Sequence, residues 1–235
     1  MVGVRLYTSM QQVELDHFPQ GTVPSFVGKK LNMTNVSANE LDLKVQECLT
    51  HFDIGSFMHH FDLVAEGQKL EILNQNERGQ NLYYQWLSCL IKVVNPKQIV
   101  ELGPASGIST IAMATQLDKD AKLYSVDIDK SLAWKWMKYD YPQVTKILGD
   151  DLDIKIWPKK VDLSKTDIWF IDTLHTKEQL EKEIKLYSPF FKKGAIVVLD
   201  DIRMEGLWDV WNSLLYDKCE TTFPNHWSGF GHFVL

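Results

Sequence analysis

Acidic residues and glycine recur at the points where short apolar runs of this 235-residue chain end. Carboxylates in such positions can bind a divalent cation, accept hydrogen bonds from a ribose diol or take up a proton. Each acid on its own could simply cap a helix or close a turn. Their recurrence after successive runs instead predicts one site built from several elements. The residues concerned are Glu101, Gly103, Asp127, Asp150, Asp172, Asp200 and Asp201.

A glycine-bearing turn follows the first of these runs and has the form Gly103-Pro-Ala-Ser106-Gly107. Glycine lets the backbone approach a ligand closely. The third glycine of the dinucleotide fingerprint is missing and no lysine or arginine lies in the turn, so a phosphate cradle is disfavoured. Asp127 ends the next apolar run and is suited to accept hydrogen bonds from a ribose, which fits any adenosine cofactor, NAD included.

The elements that must position these residues alternate regularly from residue 78 onwards. Short apolar runs predict strands, and segments with apolar residues at helical spacing predict the helices between them. Such alternation is typical of an α/β fold with a mostly parallel sheet, whose ligands bind beyond the carboxyl ends of the strands. Strands are predicted at 98–102, 122–127, 144–148, 167–172 and 195–200, with two further β-prone runs at 219–223 and 232–235, and helices at 81–94, 106–117, 131–140, 177–187 and 206–217.

Four segments together resemble class I S-adenosylmethionine-dependent methyltransferases. VELGPASGIST (100–110) resembles their motif I, YSVDID (124–129) their motif II, and ILGDD (147–151) their adenine-side loop. The run from 167 to 203 is similar to catechol O-methyltransferase-like enzymes and to methyltransferase family 24. The resemblance covers residues 78–235 and implies a Rossmann-like fold with a seven-stranded, mostly parallel sheet flanked by helices.

Residue roles follow from this resemblance position by position. Glu101 and Gly103 would border the methionine part of the cofactor, with Ser106 and Gly107 beside it. Asp127 would hold the ribose hydroxyls, and Asp150 would face the adenine amino group. The implied cofactor is S-adenosylmethionine.

The resemblance also implies a divalent cation, with Mg²⁺ as the candidate. Asp172, Asp200 and Asp201 match the three metal-binding positions of the metal-dependent members. Catechol O-methyltransferases have Asp-Asn at the last pair, whereas this chain has Asp-Asp, as some sugar O-methyltransferases do. A cation there would lower the pKa of a substrate hydroxyl. Asp172 and His175 are the predicted catalytic residues, with His175 taking the hydroxyl proton.

Residues 1–77 lack the later alternation and are expected to form a mainly helical extension that covers the substrate. Ser37 and Glu40 have the spacing of a capping box and predict a helix over 37–48. His59 and His60 are adjacent, and adjacent helical residues point apart, so a metal pair is disfavoured. His226 and His232 likewise show no spacing that calls for a ligand role.

Composition narrows the class of partner. The net charge of −6 disfavours a nucleic-acid partner, because such proteins usually carry a basic surface. There is no stretch of about eighteen apolar residues and no apolar leader at the N-terminus, so a cytoplasmic protein without a membrane partner is expected. A small-molecule acceptor is the expected substrate, and the resemblance suggests a homodimer.

Three alternatives to small-molecule O-methylation remain. An NAD-dependent oxidoreductase shares the glycine turn and the ribose acid but lacks the full glycine fingerprint. A non-catalytic binding module could retain the same fold. A nucleic-acid methyltransferase would carry Asn/Asp-Pro-Pro-Tyr after the fourth strand, where this chain has Asp172-Thr-Leu-His175.

Overall fold

A seven-stranded sheet forms the centre of the protein in a computed structural model, which describes residues 33–52, 82–137, 139–223 and 226–235. The strand order is β3-β2-β1-β4-β5-β7-β6. Strands β1 to β5 pair in parallel, and β7 pairs antiparallel with both β5 and β6. The strands are β1 Gln98–Leu102, β2 Lys122–Asp127, β3 Val144–Leu148, β4 Ile168–Ile171, β5 Ile196–Asp200, β6 Asp217–Thr221 and β7 Phe230–Val234. The predicted α/β class and the mostly parallel sheet are confirmed.

Helices cover both faces of this sheet. One core cluster joins α1, α2 and α3 to the sheet, and a second joins α4 and α5 to the opposite face. Alternate side chains of β5 pack into the two clusters. Ile196 and Val198 belong to the first cluster, and Val197 and Leu199 belong to the second. Burial on both faces explains why this strand is apolar throughout. The helices are α1 Ala38–Leu49, α2 Leu82–Val94, α3 Ile108–Ala114, α4 Lys177–Tyr187 and α5 Leu207–Ser213.

Helix α1 confirms the capping-box prediction. Ser37 is its N-cap, and the Ser37 hydroxyl accepts a hydrogen bond from the Glu40 backbone N–H at 3.1 Å. The helix packs against α2 and against the strands β6 and β7, so this part of the N-terminal region belongs to the main core. The proposed boundary between 77 and 78, the pair His59–His60 and most of the predicted extension lie outside the described residues.

The helix predicted at 131–140 is wrong. Residues 131–136 form consecutive turns, and Trp134 has a positive φ of 57°. The N–H groups of Trp134 and Trp136 donate to the carbonyls of Ala105 and Ser106, at 2.8 and 3.0 Å. Tertiary hydrogen bonds to the turn after β1 have therefore replaced the bonds that a helix would make within itself.

In the part of the chain that the structure describes, we find no helix with the length and apolar character needed to cross a bilayer.

Candidate active site

The carboxyl ends of five neighbouring strands bring the predicted site residues to one edge of the sheet. Asp150 follows β3, Asp127 ends β2 and Gly103 follows β1. Next along the edge, Asp172 follows β4 and the pair Asp200–Asp201 ends β5. Because of this strand order, the edge has two halves. The first half contains Asp150, Asp127 and Gly103, and the second contains Asp172, Asp200 and Asp201.

The second half is an acidic cluster with two histidines. His175 Nε2 lies 3.2 Å from Asp172 Oδ1 and 3.0 Å from Asp201 Oδ2. His226 Nε2 lies 2.9 Å from Asp200 Oδ1, although the pair is not aligned as a hydrogen bond, and 3.9 Å from Asp201 Oδ1. The predicted metal-binding and catalytic residues thus come together around Asp201. Their roles remain predictions.

Burial sets the charge state of this cluster. Burial raises the pKa of Asp172 and that of Asp200, and repulsion from neighbouring carboxylates adds to both shifts. Burial also acts to raise the pKa of Asp201, but hydrogen bonds and the positive charge of His175 outweigh it and lower that pKa. Hydrogen bonds to Asp172 and Asp201 raise the pKa of His175 to about 10, so this imidazole is protonated at neutral pH. It donates hydrogen bonds here instead of accepting a proton.

His226 is a member of the cluster that the sequence did not reveal. It lies just before β7, whose antiparallel register pairs Phe230 with Asp200 and so brings the preceding segment to the end of β5. The Tyr83 ring from α2 stands edge-on to the His226 ring at 4.8 Å. Burial lowers the pKa of His226, which keeps it neutral. The only available signal was the β-prone character of the chain end, which does not specify this pairing.

The turn after β1 is built around two glycines. Gly103 has φ +81°, and a Cβ at this position would lie 1.9 Å from the Asp172 carbonyl oxygen. Gly107 has φ +90°, and its Cβ would lie 3.0 Å from Trp134 Cα. Because neither position has a Cβ, residues 131–137 and the residues that follow β4 pack directly against this turn.

Asp127 and Asp150 are held by backbone donors. Asp127 accepts from the N–H of Ala105 at 2.9 Å and from that of Asp129 at 2.7 Å. Asp150 accepts from the N–H of Leu152 at 2.9 Å. A carboxylate has about four acceptor positions, so each acid retains capacity for further donors. Ser106, beside them, accepts from Trp136 through its backbone carbonyl.

Glu101 lies beneath the turn and is fully buried. Its carboxyl oxygens accept from the hydroxyls of Ser109 at 2.6 Å and Thr110 at 2.7 Å, at the start of α3. Burial raises its pKa to about 7, despite the hydrogen bonds that oppose the shift. The residue therefore fixes the start of α3 relative to β1.

The Glu101 shift predicts a pH dependence of stability. The folded protein keeps the Glu101 proton up to about pH 7, whereas the unfolded chain releases it near the ordinary value of 4.5. The contribution of Glu101 to the free energy of unfolding is therefore largest below pH 4.5. It falls by about 3 kcal/mol as the pH rises to 7. In urea unfolding at pH 5 and pH 8, Glu101→Gln should reduce the difference between the two free energies by about this amount. The exposed Glu178→Gln variant is the control, and an equal pH dependence in wild type and Glu101→Gln would contradict the assignment.

Comparisons with known proteins point to one family. Residues 100–202 match the model of methyltransferase family 24, described as a methyltransferase domain. The probable caffeoyl-CoA O-methyltransferase 3 of Dictyostelium discoideum is 23% identical over 170 residues, which cover 69% of this chain and 61% of that protein. The chain thus spans about three-fifths of the length of the curated relatives it matches.

Solved structures share the fold. A putative caffeoyl-CoA O-methyltransferase from Staphylococcus aureus aligns with a TM-score of 0.54 at 18% identity, over 82% of this chain and 99% of that one. The O-methyltransferase TomG from Streptomyces achromogenes, solved in complex with SAM, aligns with a TM-score of 0.52 at 19% identity, over 65% and 79%. All the predicted site residues, though not His226, fall within the matched region. Residues 100–202 of this chain therefore match a methyltransferase domain, and the chain shares the fold of these solved structures.

Proposed function

We propose that this protein transfers a methyl group from S-adenosylmethionine to a hydroxyl oxygen of a small molecule, assisted by a divalent cation such as Mg²⁺. The observation that carries the proposal is the division of one sheet edge into two chemically different halves. One half is a glycine turn beside Asp127 and Asp150. The other is the carboxylate cluster of Asp172, Asp200 and Asp201, in which Asp200 is buried and the other two are half-buried.

The cofactor assignment rests on the first half. The two glycines hold the turn close to the ends of β1 and β2, and Asp127 beside it has acceptor capacity for two ribose hydroxyls. Glu101 keeps the turn in place from below, and Asp150 stands at the adjoining strand end. The reported complex of TomG with SAM supports the same cofactor here.

The cation assignment rests on the second half. Carboxylate oxygens are the ligands that Mg²⁺ prefers. Asp201 belongs to two groups of potential ligands here, and the other members are Asp172 and His175 in one group, Asp200 and His226 in the other. Burial, together with repulsion from neighbouring carboxylates, raises the pKa values of Asp172 and Asp200, and a bound cation would offset both effects. This donor set fits a hard divalent cation.

Chemistry at the acceptor follows from these groups. Asp172, Asp200 and Asp201 would hold the cation, which would supply a positive charge that lowers the pKa of a neighbouring substrate hydroxyl. With its carboxylate partners so engaged, His175 would lose the hydrogen bonds that raise its pKa, and its ring nitrogen would be able to accept the hydroxyl proton. Asp172 orients that ring, and alignment of the nucleophile with the methyl group provides a large part of the rate.

Expectations about the substrate class, the cellular location and the oligomeric state accompany this proposal. The net charge of −6 supports a small-molecule acceptor over a nucleic acid. A cytoplasmic location, the absence of a membrane partner, a homodimer and a substrate-covering role for residues 1–77 stay predictions from the sequence.

Calorimetric titration with S-adenosylmethionine and separately with NAD tests the cofactor. We expect micromolar binding of S-adenosylmethionine, and binding at least about tenfold weaker in Asp127→Asn, because hydrogen bonds to a charged acceptor are worth about 1.5–3 kcal/mol each. Asp140→Asn, at a 95% exposed carboxylate, is the matched control and should bind as wild type does. Binding of NAD alone would favour the oxidoreductase, and binding of neither would favour a non-catalytic module.

A further inference from the structure

A second group of potential metal ligands lies outside the carboxyl edge of the sheet. Cys219 on β6 and His232 on β7 are direct cross-strand partners, and Asp42 on α1 lies over them. One ligand atom from each of the three residues lies within 4.8 Å of the other two. None of them belongs to the proposed methyl-transfer site, because His232 pairs with Val198 in the middle of β5 rather than with Asp200 at its end.

The state of His232 indicates that this group is more than a packing contact. The side chain is fully buried, and Nε2 lies 3.0 Å from the Ala38 carbonyl oxygen. A carbonyl can only accept, so Nε2 carries the proton of the neutral imidazole and Nδ1 bears the lone pair. Nδ1 has no hydrogen-bond partner among the described residues. A buried nitrogen without a hydrogen-bond partner destabilises the folded state, and a metal ion bound to its lone pair would remove that cost.

Asp42 is oriented in the way that metal-binding carboxylates usually are. Its Oδ1 accepts from the Trp86 indole N–H at 3.0 Å and from the Thr221 hydroxyl at 2.7 Å. Such outer hydrogen bonds fix a ligand before the ion arrives, just as the Ala38 carbonyl fixes the His232 ring. Asp217 and Glu220, on the same strand as Cys219, add negative charge around the thiol.

We propose that Asp42, Cys219 and His232 bind a divalent cation of the zinc class. One thiolate, one imidazole nitrogen and one carboxylate oxygen form a donor set that Zn²⁺ accepts in tetrahedral geometry, with a fourth position left for water. On binding, the Cys219 thiol releases its proton to solvent and the sulfur donates its electron pair to the metal. The bound ion joins α1 to the outer strands β6 and β7 and so stabilises the N-terminal helix on the sheet.

Titration of the metal-free full chain with Co²⁺ tests this site, because Co²⁺ can substitute for Zn²⁺ and a thiolate ligand gives it a near-ultraviolet charge-transfer band. We expect one such band, saturating at one equivalent and displaced by Zn²⁺. Cys219→Ser should abolish the band, and His232→Gln should weaken binding by at least about tenfold. Zn²⁺ should raise the unfolding temperature of wild type and not that of Cys219→Ser.

Two control variants separate this site from other groups. Asp172→Asn alters the carboxylate cluster at the sheet edge, and Cys48→Ser removes another buried thiol, and both should keep the band. A wild-type protein without a thiolate band, or a band that survives Cys219→Ser, would overturn the proposal. If Cys219→Ser does not fold, His232→Gln decides: a band of unchanged affinity in that variant would also overturn it. The readouts do not involve methyl transfer, so they are independent of the proposed function.

Discussion

Asp172→Asn is expected to lower kcat/KM for methyl transfer by about two to three orders of magnitude. Asp172, like Asp201, is both a proposed cation ligand and a contact of His175. A cation that stabilises developing charge contributes several kcal/mol to the transition state, and each 1.4 kcal/mol is a factor of ten. The asparagine keeps the shape of the side chain while removing its charge. The measurement is steady-state transfer to an acceptor found by screening hydroxylated small molecules.

Stability should not fall in this variant. Burial and the negative charge of Asp201 disfavour an ionised Asp172, so loss of that charge relieves repulsion within the cluster. A protein that unfolds normally, binds S-adenosylmethionine as wild type does and yet lacks activity would place the defect at the acceptor side. Asp209→Asn, at a 71% exposed carboxylate on α5, is the matched control and should retain full activity.

Removal of divalent ions from the wild-type protein tests the same role of the cation without a substitution. Wild type should lose activity in excess chelator and regain it when Mg²⁺ is restored, whereas Asp172→Asn should respond little to either treatment. Undiminished transfer by the chelated wild type, or by Asp172→Asn, would remove the cation from the proposal. The methyltransferase assignment would then rest on the cofactor half of the edge.

The central elements of the fold were predictable because their own residues determine them. The predicted bounds of β1, β2, β3 and α4 match the structure residue for residue. Strands β1 and β2 lie inside the sheet and are largely buried, so they appear as short apolar runs that end at glycine or aspartate. Strand β3 lies at the edge of the sheet with one buried residue, and burial does not explain why its bounds were predictable. The last two strands begin two residues earlier than predicted, at Asp217 and Phe230. The half-exposed β6 has little apolar pattern, and its pairing with β7 determines its extent.

The candidate site also has one part that the sequence predicts and one part that depends on tertiary contacts. Parallel topology alone brings strand ends together, so the clustering of Asp172 with Asp200 and Asp201 was predictable from the sequence. The position of His226 depends on the antiparallel return of β7, and the turns at 131–136 depend on carbonyls of Ala105 and Ser106. Both are long-range tertiary effects, which neither spacing nor periodicity records.

Gly103→Ala is expected to cost about 2–5 kcal/mol of folding stability, a large part of the 5–15 kcal/mol that a typical domain has. Two terms contribute. An alanine at φ +81° costs about 1–2 kcal/mol, because its Cβ opposes the left-handed conformation. The second term is steric: the new Cβ would lie 1.9 Å from the Asp172 carbonyl oxygen, and such overpacking typically adds about 1–3 kcal/mol.

Backbone hydrogen bonds prevent easy relief of this collision. The Gly103 N–H donates to the Val126 carbonyl, and the Asp172 N–H donates to the Leu102 carbonyl, each at 2.9 Å. Moving either segment therefore separates β1 from a neighbouring strand at the edge where the two halves of the site meet. Protein that still folds should bind S-adenosylmethionine weakly, since both the glycine turn and Asp172 are displaced.

Gly206→Ala separates the steric term from the conformational one. Gly206 has φ +82°, nearly the same as Gly103, but the atom nearest to its Cβ would be the Lys177 Cβ, at 3.0 Å, and no backbone atom would lie closer than 3.8 Å. This variant should lose about 1–2 kcal/mol, mainly the cost of the backbone conformation, because a shift of a few tenths of an ångström relieves the contact with Lys177. Urea unfolding of wild type and the two variants measures both values. Equal losses at the two positions would mean that β1 and β4 can separate at no cost, and would contradict the view that the approach of Gly103 to Asp172 holds the two halves of the site in register.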